Sequence, residues 1–149
     1  VNGLNERWMV KLLKLSMKRI VASILVVFML TGCGSNDFRT DGIEAVTVSE
    51  SDGFYRFQTG DLITFDEPKA IQVFEDMLRE AERIPGIANV VGPEYDLEVR
   101  FEDEETDRYY LWLNESDGES SLYDADDTDT AYLIPADVTN RLIELLEAD

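Results

Sequence analysis

Apolar and polar positions alternate most cleanly at Tyr95–Glu102, where Tyr95, Leu97, Val99 and Phe101 interleave with Asp96, Glu98, Arg100 and Glu102. A period of two places one row on a core and the other in water, as in an antiparallel sheet. Arg108–Asn114 repeats the pattern, with Tyr109, Leu111 and Leu113 opposite Tyr110 and Trp112. Upstream, Ile43–Ser49 is rich in β-formers. Ser51-Asp52-Gly53 is turn chemistry, and Phe54–Gln58 resumes as the partner strand of an expected hairpin. Leu62–Phe65 reads as a short extended piece.

The period then changes. Ala70, Ile71, Val73, Phe74, Met77, Leu78, Ala81 and Ile84 follow helical spacing. Asp66 is the expected N-cap, Pro68 suits the first turn, and Pro85-Gly86 is the expected stop. Beyond the two long strands, Ser121–Tyr123 and Tyr132–Ile134 read as short strands. Pro135 opens a last helix with Val138, Leu142, Leu145 and Leu146 on one face. The order β-β-α-β-β-β-β-α over residues 43–149 implies a two-layer α+β domain. Its sheet is mainly antiparallel, with the helices packed on one face.

The first third is different in kind. Ile20–Leu30 is an eleven-residue apolar run, interrupted only by Ser23, behind Lys18 and Arg19. Spanning a bilayer takes about 20 such residues, whereas an export signal needs fewer. The run ends in Leu30-Thr31-Gly32-Cys33, which resembles the lipobox of bacterial lipoproteins. The resemblance implies a diacylglycerol on the Cys33 thiol, with palmitate-type acyl chains, and cleavage between Gly32 and Cys33. Residues 1–32 are then a signal peptide, and residues 33–42, rich in turn formers, a tether. Met17 is the expected start, with residues 1–16 read as translated from a misassigned upstream start. The expected address is the outer side of a cell membrane, held by lipid.

Charge sharpens the division. The chain carries −19 overall. Residues 1–32 hold five basic side chains and one acidic one, so the remainder carries −23. That balance argues against nucleic acid, which calls for clustered Lys and Arg. The chain has no His, which removes Ser-His-Asp and Cys-His machinery and most zinc sites. Cys33 is the single cysteine, so no intrachain disulfide forms.

Three segments then occur in a recognisable order. Pro85-Gly86-Ile87 follows an amphipathic helix, Tyr110-Leu111-Trp112-Leu113 ends a strand, and Asp127-Thr128-Asp129-Thr130-Ala131-Tyr132 precedes the Leu-rich helix. The pattern resembles the YhfM-like lipoproteins of Bacillus and relatives over about residues 43–147. The resemblance implies a lipobox precursor and a small α+β domain, and it supplies no catalytic residues.

Candidate chemistry is sparse. Asp124, Asp126 and Asp129 lie in the densest acidic stretch and could ligate calcium, which takes six to eight oxygens. The EF-hand pattern fails, because Asp129 stands where Gly belongs and Pro135 where Glu belongs. Asp129-Thr130-Ala131 matches an aspartic-protease signature without its necessary second copy. Tyr110 and Trp112 would face the helix-free side of the sheet, where exposed aromatics suit a protein or cell-wall partner. The leading expectation is a non-catalytic binding module. The alternatives are a calcium-binding surface protein and a carboxylate-dependent envelope hydrolase.

Native protein should show an intact mass lacking residues 1–32 and carrying added acyl mass. Cys33→Ala should abolish both changes, as read by mass spectrometry of detergent extracts.

Overall fold

A computed structural model describes residues 36–54, 56–58, 60–84, 91–113 and 118–148. Strand β1, Ile43–Glu50, is followed by β2, Leu62–Phe65, and by helix α1, Pro68–Glu80. Strands β3, Glu82–Ile84, β4, Tyr95–Phe101, β5, Thr106–Trp112, β6, Ser120–Asp124, and β7, Ala131–Ile134, come next. Helix α2, Ala136–Glu147, closes the domain. The strands form one antiparallel sheet in the order β2-β1-β4-β5-β6-β7-β3. This is the expected two-layer α+β fold, with both helices on one face.

Two elements differ from the sequence reading. The hairpin partner of β1 is Leu62–Phe65, with Val46 opposite Phe65 and Ser49 opposite Leu62. Phe54 and Arg56–Gln58 are not strand. Their aromatic rings pack onto the sheet from outside, which an in-plane strand could not do. Helix α1 also stops early. Ala81 is extended and donates its N–H to the Met77 carbonyl, and residues 82–84 leave as an edge strand paired with β7. Ile84, read as part of the helical stripe, therefore packs on the opposite face of the sheet, beside Tyr110, Tyr123 and Ala131. The expected stop at Pro85-Gly86 lies outside the described residues. Pro68 does open the helix, where its missing N–H costs nothing. The flanking residue is Glu67 rather than Asp66, and it makes no side-chain cap bond.

The core lies between sheet and helices. Phe74, Met77 and Leu78 of α1 and Val138 and Leu142 of α2 meet Val46, Val48, Leu97, Val99, Leu111 and Leu122 of the sheet. Thr139 ties α2 to the strands: its hydroxyl accepts from the Ser120 N–H at 3.1 Å and donates to the Ile134 carbonyl at 3.4 Å. The helices are joined by Asp76, whose carboxylate accepts from Arg141 of α2 and from Arg79 of its own helix, each at 2.6 Å.

The residues read as tether are docked. Asn36 Nδ2 donates to the carbonyls of Leu78, at 2.8 Å, and Ala81, at 2.5 Å, capping the end of α1. Phe38 lies edge-on to Tyr109 at 5.2 Å and against Tyr132 at 4.4 Å. Arg39 sits over the Phe101 ring at 4.1 Å and pairs with Asp103 at 2.9 Å.

Burial raises the pKa of Asp76, but hydrogen bonds from Arg141, Gln72 and Arg79 outweigh it, and the carboxyl sits below its usual range. A depressed folded pKa adds stability above the unfolded value, and that stability is lost as pH falls through the folded value. Asp76→Asn should therefore lower the melting temperature at pH 7. The gap from wild type should close as pH falls below about 4, as measured by thermal melts across acidic pH.

Candidate functional site

The helix-free face of the sheet carries a transverse row set by strand register. Leu62, Ser49, Asp96, Tyr110, Tyr123, Ala131 and Ile84 stand side by side across all seven strands. The neighbouring row is polar and wetter. Thr64 and Thr47 share a hydrogen bond at 3.2 Å, and Glu98 pairs with Arg108 at 3.4 Å.

A strap formed by residues 52–54, 56–58 and 60 crosses the first row. The ring of Phe54 meets Tyr110 at 5.3 Å and Trp112 at 5.9 Å. The ring of Phe57 meets Tyr110 at 5.9 Å and lies under the Arg108 guanidinium at 5.4 Å. Gln58 is the latch. Its backbone N–H donates to Asp96 Oδ2 at 2.8 Å, and its Nε2 donates to the Thr47 carbonyl at 3.3 Å. It holds a φ of +55°, a left-handed backbone that costs about 1 kcal/mol for a residue with a side chain.

The strap buries polar chemistry. Asp96 is 0% exposed and Ser49 3%. Among the described residues, Asp96 Oδ1, Ser49 Oγ and Tyr123 Oη have no hydrogen-bond partner. Leaving such groups unpaired costs on the order of 1–3 kcal/mol each, so unpaired groups gathered in one row need a reason. Burial and then the negative charge of Asp96 raise the pKa of Tyr110, and burial raises that of Tyr123. Both phenols therefore stay protonated at neutral pH.

Ser49 also borders a cleft of about 260 Å³, lined by Val48, Ser49, Glu50, Asp61, Ile63, Tyr95 and Leu146. The cleft lies at the β2 edge of the sheet, between the ends of β1 and α2. Val48, Ile63 and Leu146 give it an apolar wall, and Glu50 and Asp61 bring carboxylates.

The sequence-predicted sites fare differently. Tyr110 is 7% exposed beneath the strap, which removes it from any open partner surface. Trp112 is half-buried, and its Nε1 is spent on the carbonyls of Val91 and Gly92 at 2.9 and 3.0 Å. The expected aromatic binding face is therefore corrected to a covered one. In the acidic stretch, Asp124 Oδ1 accepts from the Asp126 N–H at 2.8 Å, and Asp127 Oδ1 from the Asp129 N–H at 3.3 Å. These carboxylates close local turns. Among the described residues no three acidic side chains gather to hold a metal ion, Asp124, Asp126 and Asp129 included. Cys33 and Gly32 lie outside the described residues. Among the described residues no helix is long and apolar enough to cross a membrane.

Sequence reasoning missed Ser49 and Asp96. Asp96 reads as one of the wet residues of β4, because nothing local shows that a distant segment will cover it. The available signal was Phe54 and Phe57, two aromatics in a turn-rich stretch with no partner of their own.

A thioesterase-like protein from Clostridium sporogenes has a similar structure, with a TM-score of 0.57 and 14% identity, covering 70% of this chain and 94% of that one. At that identity the likeness is one of fold. It nevertheless corrects the expectation of a non-catalytic binding module, since the same architecture carries a thioesterase-like protein. No curated protein matches the chain.

Gly60 stands where a Cβ would meet the Glu50 carbonyl oxygen at 3.1 Å, so the end of the strap tolerates no side chain without moving backbone. Gly60→Ala should cost about 1 kcal/mol and speed hydrogen exchange at the Gln58 amide. Unchanged exchange there would mean that the strap is not pinned at this point.

The family model described as YhfM protein matches residues 44–149, which takes in both halves of this site, and the chain belongs to that family.

Proposed function

We propose that the chain is a lipid-anchored extracytoplasmic protein whose domain is a carboxylate-dependent hydrolase for acyl thioesters or activated esters. The observation that carries this reading is the Ser49–Asp96 pair. These two buried side chains, cross-strand neighbours beneath the strap, both hold an unpaired oxygen. The fold shared with the thioesterase-like protein supports the reaction class.

The chemistry suits a chain without His. In the proposed step, the Asp96 carboxylate takes a proton from water while the water oxygen bonds to the acyl carbon. The carbon–sulfur bond then breaks, and the thiolate leaves with the proton, giving a carboxylic acid and a thiol. A thiol has an ordinary pKa of about 8.5, so it departs without a strong general acid. An amine leaving group would need one. Ser49 is positioned to orient the attacking water through its free hydroxyl. The rings of Phe54 and Phe57, packed on Tyr110 on the same face, give the pair an apolar surround for a short acyl chain. Release of Gln58 from Asp96 Oδ2 would free the second carboxylate oxygen for this role.

The test uses mature protein in detergent and a series of acyl thioesters, with matching oxygen esters, of increasing chain length. Asp96→Asn and Ser49→Ala should each lower kcat/KM by about 100-fold or more, within the range typical of a lost acid–base group. Melting temperatures should be unchanged or higher, because a buried carboxylate with an unpaired oxygen is itself costly. Wild-type rates in Asp96→Asn, or no turnover of any substrate by wild type, would overturn the assignment.

A further inference from the structure

The two edges of the sheet are guarded differently. Strand β3 closes one side with Glu82 and Arg83 exposed, and Pro85 follows it in the chain. Charges and proline so placed discourage a sheet edge from pairing with foreign chain. Strand β2 closes the other side as Leu62-Ile63-Thr64-Phe65, four residues without a charge or a proline. Its register against β1 runs without a bulge. Among the described residues no strand pairs with its outer side. Leu62 is 57% exposed at this edge.

Bare edge backbone pairs with any extended chain, so the surroundings select the partner. The cleft opens along this same edge, on the helix side. Val48, Ile63, Tyr95 and Leu146 form its wall, and Glu50 and Asp61 its acidic rim. Alternation sets Asp61 and Ile63 on one side of the chain, so a strand laid along β2 presents every second side chain to the cleft. Between Arg56 and Lys69 the chain holds Asp61, Asp66 and Glu67 and no base, and all three acids are exposed. The last turn of α2, which supplies Leu146, carries no basic side chain either, so it adds the negative end of a helix dipole. A second copy of this chain paired antiparallel at β2 would set Asp61 of one copy against Asp66 of the other, and like charges so placed repel. A basic chain is attracted instead.

We propose that the β2 edge is a docking site for a basic, extended segment of another protein, which adds an eighth strand to the sheet. Its backbone pairs with the outer N–H and C=O groups of Leu62–Phe65. An apolar side chain enters the cleft beside Ile63, and a Lys or Arg two residues along meets Asp61 and Glu50. The site stands independently of the hydrolase reading.

The test uses the mature protein in detergent and a fluorescent hexapeptide in which Thr alternates with Leu, Lys and Lys, followed by anisotropy. A peptide with Glu in place of Lys should bind at least tenfold more weakly. Asp61→Lys should weaken the original peptide by as much, with an unchanged melting temperature because Asp61 is exposed. Successive amides of an extended strand point to opposite sides, so methylating alternate backbone nitrogens gives two further peptides. One should lose binding at least tenfold and the other keep it, and hydrogen exchange at residues 62–65 should slow in the complex. Equal binding by the two methylated peptides reduces the association to charge alone and overturns the docking site. No binding of the original peptide overturns it as well, as does a dimer of the free protein whose amides at 62–65 are already protected.

Discussion

Seven strands present more apolar surface than two short helices can cover. The sheet spans six strand spacings, about 29 Å, whereas a helix of thirteen residues is about 20 Å long. The remaining area must be closed by chain from elsewhere, and it is closed from both ends of β1. On the helix side, residues 36–39 bring Phe38 against Tyr109 and Tyr132. On the opposite side, the strap brings Phe54 and Phe57 over Tyr110. Both are irregular segments, and each carries an aromatic payload that offsets the entropy of ordering it.

Closing the outer face has a chemical consequence. An alternating strand places Asp96 on the same side as Tyr110, where water would normally satisfy it. The strap removes that water and returns one backbone N–H, from Gln58. The result is a carboxylate with one oxygen held and one unpaired, next to an unpaired serine hydroxyl. An interior built for stability alone would pair these groups or replace them with apolar ones. Their persistence beneath the strap accords better with chemistry than with packing, and the left-handed latch at Gln58 is strain of the kind found at working sites.

The docked segment changes the meaning of the N-terminal region. A free ten-residue linker would let the domain tumble far from the lipid. Asn36, by donating to carbonyls at the end of α1, makes residues 36–39 part of the fold rather than free chain.

Much of this was legible in the residues. Alternation at Tyr95–Phe101 and in β5, the helical stripe from Ala70 to Leu78 and the Leu-rich C-terminal helix gave the α+β class, because each pattern is local and buries one face whatever its partners. The course of residues 52–60 was not legible, because turn-rich chain with scattered aromatics fits an in-plane strand and an overlying strap equally well until the sheet exists. The early end of α1 was hidden too, since Ala81 and Ile84 continue the helical spacing while serving a cap and an edge strand. The candidate site is the clearest case. Local sequence determined that Asp96 leaves the helix-side core, and only tertiary structure decided that it is buried all the same, because burial on that face depends on a segment some forty residues away in the chain.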